Sequence, residues 1–189
     1  MSKRIVPTFD IIQYPASILM QPCKQVTTFD AALEQTIQRM RPTMHDAIGV
    51  GLASTQINSP YSFAVIEFRP GKNDDPDEIV PFHAIINPKI LEYGDEQDEM
   101  EEGCLSCPGI EVKIRRATTI RVRAQDIDGR EYEQTIDGFA ARIYQHEIDH
   151  LNGLLILDRA HGQKALLEAY RANPKTFADK VTSAHTHSI

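Results

Sequence analysis

His146-Glu147-Ile148-Asp149-His150 is the segment that most narrows what this chain can fold into. Two histidines four residues apart share one face of an α-helix, where both imidazoles can reach a single metal ion. The segment therefore needs a rigid helix packed on a core. The flanking sequence predicts that helix from about Asp137 to Asn152, with Gly153 as its C-terminal stop. Setting His146 at zero and turning about 100° per residue, Phe139, His150 and Ile143 fall within about 60°. Glu147 follows near 100°, then Ala140, Leu151 and Tyr144, while Asn152, Gln145, Asp149 and Arg142 take the opposite side. Both histidines and the glutamate thus lie in or border the apolar arc. A lone carboxylate buried there costs several kcal/mol unless it is protonated, paired or beside a cation. One step round from His146, Glu147 can reach a water activated by such an ion without being a ligand itself.

A third ligand is needed, and Cys104 is the best candidate. It follows Gly103, which permits a close backbone approach, and a free thiol beside a divalent cation is deprotonated outright. One thiolate and two imidazoles leave a fourth position open, the pattern of a catalytic site. The rival reading adds Cys107, since Cys104-Leu105-Ser106-Cys107 is also C-x-x-C, and closes a Cys2His2 structural zinc site. Against it stand the 38 residues between Cys107 and His146, the absence of any role for Glu147, and Pro108 stiffening the second thiol. A zinc endopeptidase, which shares H-E-x-x-H, would need another third ligand. Cys23, the third cysteine, makes the number odd, so a disulfide framework is not the organising device.

Around this helix the sequence predicts a single α+β domain over residues 1–171, with mainly antiparallel sheets, and a flexible tail at 172–189. A helix opens at Asp30, with apolar positions at Ala32, Leu33, Ile37, Met40 and Met44 and an interruption at Pro42. Strand-like runs cover Ser62 to Phe68, Ala84 to Ile90, Thr118 to Ala124 and Glu131 to Ile136, the last two flanking the turn signal Asp128-Gly129. Strands followed by a helix, without βαβ alternation, indicate α+β. A further helix covers Gly162 to Arg171. Arg69 to Glu78 and Glu92 to Glu102, the latter with seven carboxylates, read as solvated loops or exposed edge. With 20 basic against 27 acidic side chains in 189 residues, net −7, no broad nucleic-acid or anionic-membrane surface is expected. No signal-peptide or membrane-span pattern is present, which reads as a soluble cytoplasmic protein.

Three segments, in order, resemble the peptide deformylase family: Gly49-Val50-Gly51-Leu52-Ala53-Ser54-Thr55-Gln56, Glu102-Gly103-Cys104-Leu105-Ser106, and Gln145 to Gly153. Ile86 to Glu92 and Arg123 to Arg130 are also similar, and the likeness runs from about Ile5 to about Asp158. The resemblance implies hydrolytic removal of the formyl group from the initiating methionine of new polypeptides. It makes Cys104, His146 and His150 the metal ligands and Glu147 the general acid and base. Gln56, through its side-chain amide, and Leu105, through its backbone N–H, become the donors to the developing oxyanion. It implies iron(II) as the ion, with zinc, nickel or cobalt as substitutes. Val50, Gly51, Gly103, Phe139 and Ile143 can wall an apolar pocket that suits methionine. Ser54 stands where the family commonly has alanine, and Cys107 where a small aliphatic residue is commoner. After Asp158 five basic face two acidic side chains, and the resemblance implies a weak ribosome contact for this segment.

Overall fold

The computed structural model describes residues 7–70 and 79–185. Residues 71–78 of the loop expected at 69–78, and His187 of the tail, lie outside the described residues. Helix α1 (Ala31–Asp46) begins where Asp30 accepts hydrogen bonds from the N–H groups of Ala32 and Leu33, both at 3.0 Å. Pro42 lies inside it without ending it, and Ile37, Met40 and Met44 form its buried face.

Five strands pair in the order β1 (Gly51–Ala53), β2 (Phe63–Phe68), β3 (Val80–Tyr93), β6 (Thr119–Gln125) and β7 (Glu131–Asp137), every neighbour antiparallel. Strand β3 is longer than the expected Ala84 to Ile90. It is paired on both sides, and register shifts between Ile86 and Lys89 accommodate Pro88, whose missing N–H would otherwise break the ladder. The sheet is buried on both faces at β1 and β2, while β6 and β7 keep one face in solvent. Along β2, Ala64 and Ile66 face one apolar cluster with helix α2 (Gly138–Leu151), while Phe63 and Val65 face another with α1.

A second sheet joins β4 (Gln97–Gly103) to β5 (Glu111–Ala117). Of the two expectations for Glu92 to Glu102, solvated loop or exposed edge, the structure shows the exposed edge over Gln97–Gly103. Five successive β4 residues are exposed, so no apolar alternation marks the strand; its partner supplies the reason to pair. Glu99 lies opposite Arg115 and Glu101 opposite Lys113, which turns an acidic run into one half of a charge-complementary ribbon. Val112, Ile114 and Arg116 of β5 point inward, the first two into a cluster with Leu19, Leu155 and Tyr170 and the third toward Asp149 of α2.

Helix α2 therefore runs between the two sheets, and its supposed polar side is covered as well: Arg142, Gln145 and Asp149 are all buried. It ends as expected at Gly153, which takes a φ of 76°; its N–H donates to the His150 carbonyl and that of Leu154 to the Asp149 carbonyl. Beyond it come α3 (Ile156–Arg159), α4 (Lys164–Ala172) and α5 (Pro174–His185). Tyr170 of α4 is fully buried beneath Leu155 to Leu157, and the Phe177 ring of α5 meets it edge-on at 5.1 Å. Residues 174–185, read from the sequence as tail, are thus helical. No helix among the described residues is long and apolar enough to cross a membrane.

One ion pair fastens α1 to the sheet. Arg41 donates to both oxygens of the buried Glu67, at 2.8 and 2.6 Å, and His45 approaches the same carboxylate at 2.8 Å. The Arg41 hydrogen bonds outweigh burial and hold Glu67 down at about 2 from an ordinary value of 4.5. A depressed carboxylate stabilises fully above its unfolded value and loses that contribution as pH falls through its folded one. Melting temperature should therefore fall as pH drops from about 4.5 toward 2, and Glu67→Gln should flatten that part of the profile. Thermal unfolding followed by circular dichroism across this range checks it.

Candidate active site

Three donors converge where α2 passes the end of β4. Cys104 Sγ lies 3.2 Å from His150 Nε2, and one ligand atom from each of Cys104, His146 and His150 lies within 4.8 Å of the others. Helical spacing brings the imidazoles together, with ring centroids 5.1 Å apart, and the turn after β4 delivers the thiol. His146 donates from Nδ1 to Glu102 Oε2 at 3.0 Å, which fixes its tautomer and leaves the Nε2 lone pair free. The donor set fits one divalent cation of the zinc or iron(II) kind. Among the described residues the convergent group consists of these three side chains.

Cys107 does something else. It is buried in the cluster formed by Leu19, Ile114, Leu155 and Tyr170. A hydrogen bond between the two thiols, with help from the His150 and His146 imidazoles, draws Cys104 well below its usual value against the cost of burial. The same bond, with burial, pushes Cys107 far up. Among the described residues Cys107 is not one of the donors that converge, so the closed Cys2His2 reading finds no support.

Behind the donors lies a buried ion cluster that the sequence did not disclose. Glu102 accepts from Arg116 Nε and Nη2 at 2.9 Å each and from Arg142 Nη1 at 2.6 Å, in addition to His146. Arg116 also binds Asp149 of α2, which accepts from Arg159 of α3 at 2.6 and 3.0 Å, and Arg142 binds Asp98. Burial opposes the Glu102 charge, yet the His146 and Arg116 hydrogen bonds hold the carboxyl far below the usual range. Three carboxylates thus meet three guanidiniums. The one signal for this in the sequence is Arg116 falling on the inward positions of the alternating run Val112, Ile114, Arg116.

In front of the donors opens a cavity of about 650 Å³. Val50, Gly51, Gly103, Phe139 and Ile143 line it together with Gln56, Leu105, Cys104, His146 and Glu147, so the residues singled out in the sequence meet in one place, with His150 just behind. Glu147 is buried with no hydrogen-bond partner for Oε2, and burial, reinforced by the charges of Cys104 and Glu102 and opposed by the two histidines, raises its pKa. A Cβ at Gly51 would stand 2.2 Å from Glu147 Oε1, so that position must be glycine for the carboxylate to lie where it does. Gly103 needs no such allowance: a Cβ there would meet only Glu111 at 3.7 Å, which corrects the tight approach expected before Cys104. Gln56 is held at both ends. Its carbonyl accepts the Ala53 N–H at 2.8 Å, and its amide nitrogen donates to Ser106 Oγ at 3.0 Å, 4.0 Å from Cys104 Sγ. Ser106, unremarked in the sequence, is fixed in turn by the Ile12 carbonyl at 2.7 Å. The Leu105 N–H has no acceptor among the described residues.

Comparison with known proteins gives a consistent picture. A sequence model of the polypeptide deformylase family matches residues 8–165. The peptide deformylase of Thermotoga petrophila is 45% identical over 150 residues, covering 79% of this chain and 85% of the relative. That of Aquifex aeolicus is 39% identical over 164 residues, covering 86% and 94%. Among solved structures, the Thermotoga maritima peptide deformylase superposes with a TM-score of 0.72 at 41% identity, covering 82% of this chain and 98% of its own. The Synechococcus elongatus peptide deformylase in complex with actinonin gives 0.77 at 36% identity, covering 88% of each.

Removing Glu102 would leave Arg116 and Arg142 buried without their shared anion and free the His146 ring. Glu102→Ala should lower stability by about 3–5 kcal/mol and weaken metal binding by roughly 10- to 100-fold. Urea unfolding and competition with a chelator measure the two effects separately.

Proposed function

The chain belongs to the polypeptide deformylase family, and on that premise we propose that Glu147 carries the proton in the reaction it performs, hydrolytic removal of the formyl group from the formyl-methionine of nascent polypeptides. The observation that supports this role best is a buried carboxylate with an unpaired oxygen, lining the same cavity as two of the Cys-His-His donors. Cys104, His146 and His150 hold the ion, iron(II) in our reading. When bound, it supplies Lewis acidity, lowering the pKa of water and polarising the formyl oxygen.

The remaining steps rest on the chain's own groups. Glu147, its proton affinity raised by burial, takes a proton from water as the formyl carbon is attacked and returns it to the departing amine. The Gln56 amide, anchored through its carbonyl, and the Leu105 N–H donate to the oxygen that becomes negative; a donor of this kind is worth about 2.7–4 kcal/mol. Val50, Phe139 and Ile143 receive the methionine side chain, while Gly51 and Gly103 expose backbone beside it. The compartment consistent with this work is the cytoplasm.

Purified protein loaded anaerobically with iron(II) should release formate from a formyl-methionyl peptide, and a metal-free control should not. Glu147→Gln should keep its metal and lose roughly 10²- to 10⁴-fold in kcat. Gly51→Ala should lower kcat by displacing the same carboxylate while metal content holds. Formate assays paired with metal analysis check both.

The segment after Asp158 is our second proposal under this heading, a weak contact with the ribosome through its basic side chains. Lys164 is 89% exposed and its ion pair with Glu168, at 3.9 Å, is itself in solvent, so a polyanion can compete for its charge. Reversing Lys164 and Lys175 to glutamate should reduce co-sedimentation with ribosomes; unchanged co-sedimentation would remove the idea.

A further inference from the structure

Helices α1 and α2 end in the same hydrogen-bonded terminator, but with different residues at its left-handed position. In α2 that residue is Gly153. In α1 it is Ile48, with a φ of 57°; its N–H donates to the His45 carbonyl at 2.9 Å and that of Gly49 to the Met44 carbonyl at 2.9 Å. Glycine takes this conformation freely, whereas a β-branched side chain there is crowded against its own backbone. Packing does not compensate Ile48, because 86% of it is exposed, more than any other large apolar residue among the described residues. The fold thus holds an isoleucine where glycine would serve better, and leaves the side chain in water.

Its location supplies the reason. Ile48 lines the cavity that contains Gln56, Cys104, His146 and Glu147. Apolar lining residues there range from Ile143, 3% exposed, to Ile48 at the mouth, with Pro108 and Ile110 also on the lining. Strain retained at a site, on a side chain that folding does not bury, is the pattern of a ligand contact. A polypeptide whose first residue occupies the interior must leave past this mouth.

We infer that Ile48 is a specificity-determining residue that covers an apolar side chain in one of the two residues following the formyl-methionine. The inference rests on the deformylase reading. It makes the left-handed isoleucine a trade of local stability for recognition of longer apolar substrates.

The test compares formyl-Met-Leu-Ala and formyl-Met-Ala-Leu with formyl-Met-Ala-Ala on the iron-loaded enzyme. The parent should favour one leucine peptide over the alanine peptide by roughly 3- to 10-fold in kcat/KM, through KM. Ile48→Gly and Ile48→Asn should bring that ratio to about one while raising Tm by roughly 2–4 °C. Ile127→Ser, at an exposed isoleucine in the β6–β7 turn, should leave the ratio unchanged. A ratio that survives both Ile48 variants, or a Tm that does not rise, overturns the inference. Absence of formate release from every peptide would overturn the deformylase reading, and this inference with it.

Discussion

The carboxylate of Glu102 is the point on which the two halves of this structure bear. It accepts hydrogen bonds from β5 through Arg116 and from α2 through both Arg142 and His146, while Glu102 itself is the next-to-last residue of β4. Removing so many charges from water is expensive, and hydrophobic residues of the same volume would serve stability as well or better. What the ion cluster supplies instead is direction. A guanidinium fork accepts a carboxylate in few orientations, so a ribbon of two strands and a helix are locked at one angle and one depth. That fixed depth sets where His146 points, and the Glu102 oxygen chooses which of its nitrogens bears the proton.

Groups that are costly elsewhere in a protein gather on the other side of the same helix. Glu147 Oε2 and His150 Nδ1 are buried without partners, Gly51 is held within touching distance of a carboxylate, and Ile48 is crowded at the cavity mouth. In a core optimised for stability alone these would be faults. Here they lie in or beside the cavity, while behind α2 both oxygens of Glu102 and of Asp149 are paired. The helix separates a saturated polar layer, which sets geometry, from an unsaturated one, which is open to chemistry.

How much of this a single sequence discloses depends on whether the signal is local. The helix of His146 and His150, its stop at Gly153, the cap at Asp30 and the hairpin around Asp128-Gly129 are each specified by neighbours within a few residues, and each was legible. Strand β4 was legible only as an exposed edge left open against a loop, because its reason to exist is the basic strand it pairs with, Glu99 and Glu101 against Arg115 and Lys113. Arg142 and Asp149 fall opposite the apolar arc in projection, and their burial was not legible for the same reason. A helical projection sees polarity, not the arginine on another strand or the arginine on α3 that makes burial tolerable. The convergence of Cys104, His146 and His150 was therefore readable and the layer that supports it was not. A metal ligand declares itself by spacing on one element, whereas a supporting ion pair is a fact about two.

The two departures from the family's pattern show how such a supporting layer absorbs change. Ser54 is completely buried where alanine is commoner, and a hydroxyl there would be an uncompensated polar group. It donates to the Tyr61 carbonyl, which leaves the strand β1 and the Gln56 amide beyond it undisturbed. Cys107, where the resemblance implies an aliphatic residue, is a thiol of similar bulk that packs as one, against Leu155 and Tyr170. Beside Cys104 it lowers that thiol's proton affinity, while the same contact, with burial, raises its own. In both places the extra polar atom is satisfied inside the wall, so the cavity meets the same shape and the same donors, and the departure is felt only as a change in what holds them.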